Sequence, residues 1–203
     1  MVTPFGTLSS PAANSPLERT NNSISRISSG NRFTSAADDP AAVSLFANLS
    51  KEISGLQQAT QNAMGTSNML RVADSGVQTT SDTLIRMREL AIQASNDTYS
   101  ASDRNSMQAE MDGLLERLDQ VAGSTEFNGK QLLDGSEGTL TFQVGTSADA
   151  ASQIDFETQD MSAEALDVGD ASVASAADAQ SLVDSIDAAM EQVGEFQADI
   201  GAG

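Results

Sequence analysis

Neither cysteine nor histidine occurs anywhere in this chain of 203 residues, and tryptophan is missing too. Without cysteine there are no disulfides and no thiolate metal sites. Without histidine as well, Ser/His/Asp and Cys/His nucleophile systems, zinc centres and the commonest general bases drop out together. Carboxylates remain, but nothing gathers them beyond what a solvated surface needs. The chain therefore reads as a non-enzyme with no cofactor and no metal site. Aromatic residues make up 4% and apolar residues 39%, below the usual share. A compact globular core would be thin. Long helices packed along narrow seams need fewer large side chains, so composition favours a helical rod over a ball.

Positive charge is scarce and then absent. Ten Lys and Arg face 29 Asp and Glu, for a net charge of −19, and Lys130 is the last basic residue. From Gln131 onward there are fifteen acidic residues and no cation. Such a polyanion repels nucleic acid and anionic membranes, which excludes both as partners. Its surface resists nonspecific association and suits a saline setting, where salt screens acidic neighbours from one another. No apolar run approaches the ~20 residues of a membrane span. Met1 to Ser10 lacks the positive region and sustained apolar stretch of a cleavable secretory signal.

Turns and helix signals divide the chain. Pro4, Pro11 and Pro16 break any continuous helix near the start, so an irregular arm is expected there. A helix of one or two turns should begin near Pro16 or Leu17 and stop at Ser28-Ser29-Gly30, where glycine suits a left-handed cap. Asp38-Asp39-Pro40 then supplies capping carboxylates and a first-turn proline. The stretch from Ser28 to Ala41, with Arg32 inside it, is a stiff elbow between two helices.

Beyond the elbow, Phe46, Leu49, Ile53, Leu56, Thr60, Ala63, Ser67, Leu70 and Ala73 step by threes and fours. Val77, Thr80, Leu84, Met87, Ala91 and Ala94 continue the pattern, a heptad seam that predicts one long helix over 41–96. Gly55, Gly65 and Gly76 interrupt it at ~1 kcal/mol each relative to alanine, so packing must hold this helix together. Met107, Met111, Leu114, Leu118 and Val121 predict a second helix over 102–122, folded back antiparallel through a short connection. In the region 127–172, Phe127-Asn128-Gly129-Lys130 is a turn. Two period-two runs, Leu140 to Gly145 and Ile154 to Thr158, make a small β-hairpin. Asp160 to Ala171 reads as loop with a single turn at Ala163 to Leu166. Strict 3-4-3-4 spacing returns over 173–203. There Ala179, Leu182, Ile186, Ala189, Val193, Phe196 and Ile200 form a core seam flanked by acidic residues. The predicted fold is mainly α, an elongated antiparallel helical coiled-coil bundle with one hairpin, organised as an arm over 1–40 and a rod over 41–203.

Four blocks, in order, resemble bacterial flagellins. They are the elbow (Ser28, Ser29, Gly30, Arg32, Asp38, Asp39) and Leu84 to Asn96 with its Arg-x-Arg-Glu-Leu-Ala core. Gln108-Ala109-Glu110 through Thr125 to Lys130 is the third, and the terminal heptad helix ending Ile200-Gly201-Ala202 is the fourth. The resemblance implies a filament subunit used in motility, self-assembling through coiled-coil helices. It implies export by the flagellar secretion system without signal cleavage, and a place in the extracellular flagellum. The implied partners are other flagellin subunits, an export chaperone, and filament cap and junction proteins. It also implies that Arg86, Leu90 and Glu110 lie on a surface used for subunit packing and read by a vertebrate Toll-like flagellin receptor. The large outer domains of many flagellins are absent between the helices.

Two departures bear on assembly. The prolines interrupt the arm that lines the inner tube in this family, and the pairing C-terminal arm does not follow Gly203. By that reading the chain folds as a soluble rod and polymerises poorly alone. A hook-filament junction protein and a truncated, secreted flagellin-like protein are the nearest alternatives. A zinc peptidase, which needs paired histidines, is closed off.

Overall fold

The computed structural model describes residues 16–30 and 40–202. The expected irregular arm and the elbow residues Arg32, Asp38 and Asp39 lie outside the described residues. Helix α1 (Pro16–Ser29) starts on proline, whose missing N–H is no loss at a first-turn position. It ends at Gly30, which takes a φ of 65° and caps the helix in the left-handed region. At 14 residues it is longer than the one or two turns expected. Helix α2 (Pro40–Ala94) runs unbroken for 55 residues, and α3 spans Ala101–Ser124. The short strands β1 (Glu126–Phe127) and β2 (Lys130–Gln131) pair antiparallel. Their two-residue turn puts Asn128 and Gly129 at φ values of 53° and 79°, the geometry for which Asn-Gly is favoured. Strands β3 (Thr139–Gln143) and β4 (Gln153–Glu157) form the hairpin, and α4 covers Ala176–Ala202. The fold is mainly α with small antiparallel hairpins.

The chain divides into two compact units, Met1–Ser54 and Gly55–Gly203, with the division inside α2. Among the described residues of the first unit none is buried. Leu17, Ile24 and Ile27 are exposed at steps of seven and three on α1, and so are Leu45, Phe46, Leu49 and Ile53 on α2.

The second unit holds the core. Here α2 packs antiparallel to both α3 and α4: Arg86 of α2 meets Glu110, while Arg88 and Asp74 meet Asp187 and Gln197. The α4 seam residues Leu182, Ile186, Val193, Phe196 and Ile200 are all buried. The α2 seam differs from expectation in its first half. Ala59, Thr66 and Met69 are buried, one residue before the expected Thr60, Ser67 and Leu70, and the two lines merge at Ala73. The two candidate lines carry matched side chains there, small or polar at 59/60 and 66/67 and large and apolar at 69/70, so apolar periodicity does not separate them. The expected seam residues Phe46, Leu49, Ile53 and Leu56 are exposed, Phe46 by 61%.

The hairpin turns Leu140, Phe142, Ile154 and Phe156 to one face and Thr141 and Asp155 to the other. A two-stranded hairpin is marginal in water, and this one is anchored. Phe156 lies against Phe196 with ring centroids 5.8 Å apart, and Asn62 Nδ2 donates to the Gln143 carbonyl at 2.9 Å. At Gly76, α2 comes so close to its neighbours that a Cβ would sit 2.6 Å from Leu133 Cδ1 and 2.8 Å from Thr125 Oγ1.

A candidate assembly and recognition surface

Arg86 sits on the α2 surface, and its position is fixed by carboxylates from two helices. Its Nη2 donates to Glu110 Oε1 at 2.6 Å and Nε to the same oxygen at 2.9 Å, while Nη1 donates to Glu89 at 2.9 Å. Both Arg86 and Glu110 stay 47% exposed at the side chain. The hydrogen bond from Glu110, then that from Glu89, holds the guanidinium pKa above its ordinary value. Two residues on, about 160° away around the helix and toward α4, Arg88 donates to Asp187 Oδ1 at 2.6 Å. This contact raises the Arg88 pKa and holds the Asp187 carboxyl below the usual range. Exposed Ile85 and Ile92 flank these charges on α2. The patch is therefore a pre-ordered set of charges with apolar side chains beside it.

Leu90 does not belong to that surface. It is 2% exposed and lies in the core with Met87, Ala91 and Ala94. The i,i+4 spacing from Arg86 places the two residues about 40° apart around the helix, enough to cross the edge between surface and seam. The expected surface of Arg86, Leu90 and Glu110 is thus two exposed charges over a buried leucine. Of the elbow residues, Ser28, Ser29 and Gly30 end α1.

Sequence reasoning missed five residues that shape this region: Arg104, Ser100, Asp103, Gln108 and Asp119. Arg104, only 12% exposed at its side chain, closes the corner between α2 and α3. Its guanidinium donates to the carbonyls of Ala94, Asn96 and Tyr99, each at 3.1 Å. A cation in the first turn of a helix opposes the helix dipole, and that misfit was the available signal. Beside it, Ser100 and Asp103 form a capping box, and hydrogen bonds from Ser100 hold the Asp103 carboxyl pKa down. Gln108 and Asp119 fasten the segment 160–175 to α3. Gln108 accepts from Val173 N at 2.8 Å and donates to the Ala171 carbonyl at 2.9 Å, while Asp119 accepts from Ala163 N at 2.9 Å. Among the described residues no group of three His, Cys, Asp or Glu is placed to hold a metal ion.

The profile of the bacterial flagellin N-terminal helical region matches residues 10–138. Flagellin FlaB1 of Treponema pallidum is 34% identical over 194 residues, covering 88% of this chain and 67% of that protein. Flagellin E of Vibrio cholerae is 36% identical over 164 residues, covering 81% of this chain and 43% of that protein. The crystal structure of Bacillus cereus flagellin matches with a TM-score of 0.62 at 28% identity, over 70% of this chain and 81% of that one. The chain thus spans between 43% and 67% of the length of these two curated relatives. It belongs to the bacterial flagellin family.

Proposed function

We propose that the chain is a structural subunit of the bacterial flagellar filament, exported from the cell and packed against other copies in the extracellular flagellum. The observation that supports this most directly is the pair of apolar stripes in the first unit. Leu17, Ile24 and Ile27 on α1, and Leu45, Phe46, Leu49 and Ile53 on α2, repeat at helical spacing and remain exposed. Amphipathic stripes of this kind gain their stability by burial against partner helices. Finishing the burial of half-exposed leucine, isoleucine and phenylalanine is worth about 1 kcal/mol each, so a stripe of four supplies a driving force of a few kcal/mol. Neighbouring copies are the partner that a homopolymer provides at high local concentration.

The finer parts of the reading follow from the same surfaces. An export chaperone covers the apolar stripes in transit, cap and junction proteins meet the subunits at the filament ends, and a Toll-like receptor reads Arg86 and Glu110. The arm over 1–40 serves axial contacts and the rod over 41–203 serves lateral ones. The test is a Leu49→Asp/Ile53→Asp variant followed by sedimentation velocity and negative-stain electron microscopy, with far-UV circular dichroism as the folding control. The variant should keep its helix content and lose self-association. Association equal to that of the unaltered protein would sink the proposal.

A further inference from the structure

We propose that Asn128-Gly129 is a site of spontaneous chemical modification, where Asn128 closes to a succinimide and reopens as isoaspartate in the β1–β2 turn. It is the only asparagine of the chain that precedes a glycine. Both residues are exposed, and no heavy atom lies within 4 Å of a Cβ built at Gly129. Among the described residues, the Gly129 N–H donates to nothing and the Asn128 side-chain amide has no hydrogen-bond partner. A backbone nitrogen with no competing bond thus adjoins an unheld amide, and glycine brings no side chain to obstruct their approach.

Water is the one co-reactant. The Gly129 nitrogen attacks Asn128 Cγ, an N–Cγ bond forms, the Cγ–Nδ2 bond breaks, and ammonia leaves with the Gly129 proton. Water then opens the ring at either carbonyl, giving aspartate or isoaspartate with no change of oxidation state. Asn128 must first turn about its Cα–C bond to bring Cγ onto the nitrogen. What opposes that rotation locally is a ladder of two residue pairs, Glu126 with Gln131 and Phe127 with Lys130, and so short a ladder opens readily. The other described asparagines are held off. Asn21, Asn22, Asn48, Asn62, Asn68 and Asn105 lie inside helices, where the following nitrogen is committed to a helical hydrogen bond. Asn96 accepts from Thr98 N at 3.0 Å.

Isoaspartate carries the main chain through its Cβ, so the turn gains a backbone atom and a negative charge. A two-residue connection of fixed geometry then no longer sets the register of β1 on β2. That register leads straight into the core. Leu132 N donates to the Thr125 carbonyl at 3.0 Å, Gln131 Nε2 donates to the Gly123 carbonyl at 2.8 Å, and Leu132 and Leu133 are fully buried. A change at the exposed turn therefore loosens the seam between the end of α3 and Leu132-Leu133, and each molecule carries a chemical record of its age.

The experiment ages the purified protein at mildly alkaline pH, folded and in urea, and follows it by trypsin digestion and mass spectrometry. Cleavage after Arg117 and Lys130 releases Leu118 to Lys130, in which Asn128 is the only asparagine. In the folded protein that peptide should gain the mass difference between a carboxyl and an amide several-fold faster than any other asparagine-bearing peptide. Part of it should accept a methyl group from an isoaspartyl methyltransferase. Conversion in urea with none in the folded protein overturns the proposal, because the turn then protects Asn128. Conversion led by another asparagine overturns it too. An Asn128→Gln variant, checked for folding by circular dichroism, should abolish the gain, since the larger ring closes far more slowly. Persistence of the gain would move the reaction to Gln120 of the same peptide and overturn the assignment. Hydrogen exchange at the Leu132 amide should be faster in the isoaspartate-bearing fraction, and equal rates would overturn the link to the core.

Discussion

Two glycines of α2 should respond in opposite directions to the same substitution. Gly65 and Gly76 lie three turns apart in one helix, and alanine is favoured over glycine by about 1 kcal/mol at an unhindered helix position. Nothing lies within 4 Å of a Cβ built at Gly65, so Gly65→Ala should stabilise by about 0.5–1 kcal/mol. A Cβ at Gly76 would meet Leu133 Cδ1 at 2.6 Å and Thr125 Oγ1 at 2.8 Å. Neither neighbour yields readily: Leu133 is fully buried, and the Thr125 hydroxyl donates to the Val121 carbonyl at 2.7 Å. Overpacking costs about 1–3 kcal/mol, which outweighs the helix gain, so Gly76→Ala should destabilise by about 1–2 kcal/mol. The assay is urea unfolding followed by circular dichroism at constant m-value. Midpoints should move up for Gly65→Ala and down for Gly76→Ala, a gap of about 2 kcal/mol, or roughly 4–8 °C in melting temperature for a chain of this size. Two upward shifts would refute the packing account of Gly76.

Leu90→Ala should cost about 2–5 kcal/mol as a buried truncation, whereas Arg86→Ala should leave the melting temperature nearly unchanged and reduce signalling in receptor reporter cells. Unchanged signalling by folded Arg86→Ala would remove the receptor role. Gln108→Ala orphans the buried Val173 N–H and the Ala171 carbonyl, each worth about 1–3 kcal/mol. Hydrogen exchange at the Val173 amide should accelerate, and an unchanged rate would show that Gln108 does not fasten the segment. The Asp187 carboxyl is held low by Arg88 and the Asp103 carboxyl by Ser100. Both therefore stabilise the fold fully above the ordinary aspartate pKa of about 3.9 and lose that contribution as pH falls through their depressed values. Asp187→Asn should lower stability at neutral pH and make no difference below that range, which thermal melts at the two pH values would check.

The helical fold was legible where large apolar residues repeat against charged neighbours. In α4, Leu182, Ile186, Val193 and Phe196 alternate with Asp184, Asp187, Glu191 and Glu195, and only one face can be buried. In the first half of α2, Ala59 and Thr60, Thr66 and Ser67, and Met69 and Leu70 differ too little in hydrophobicity to choose between two registers. Contact with the hairpin, through Asn62 and Gln143, is a long-range cause that local spacing does not carry. Asp160 to Ala171 has no period and reads as loop, and the expected helix over 173–203 begins only at Ala176. Leu166, Val168 and Val173 are nonetheless buried: the first two donate their N–H groups to the carbonyls of Ser162 and Ala163 within a local turn, and Gln108 of α3 accepts from Val173 N. Leu90 was readable in principle: with Leu84, Met87 and Ala94 it continues the three-and-four step of the core.

The corner built on Arg104 has a consequence for durability. It joins α2 to α3 through a guanidinium and three backbone carbonyls. Guanidinium does not deprotonate in proteins, and carbonyl oxygens neither titrate nor oxidise. Thiols, imidazoles and bound metals are the groups through which a changing environment usually reaches a protein joint, and this corner uses none of them. The export proposed above would expose the subunit to new pH, oxygen and metal ions at once. The guanidinium–carbonyl contacts of the α2–α3 joint respond to none of the three, and the pH-sensitive part beside them is the Ser100–Asp103 cap.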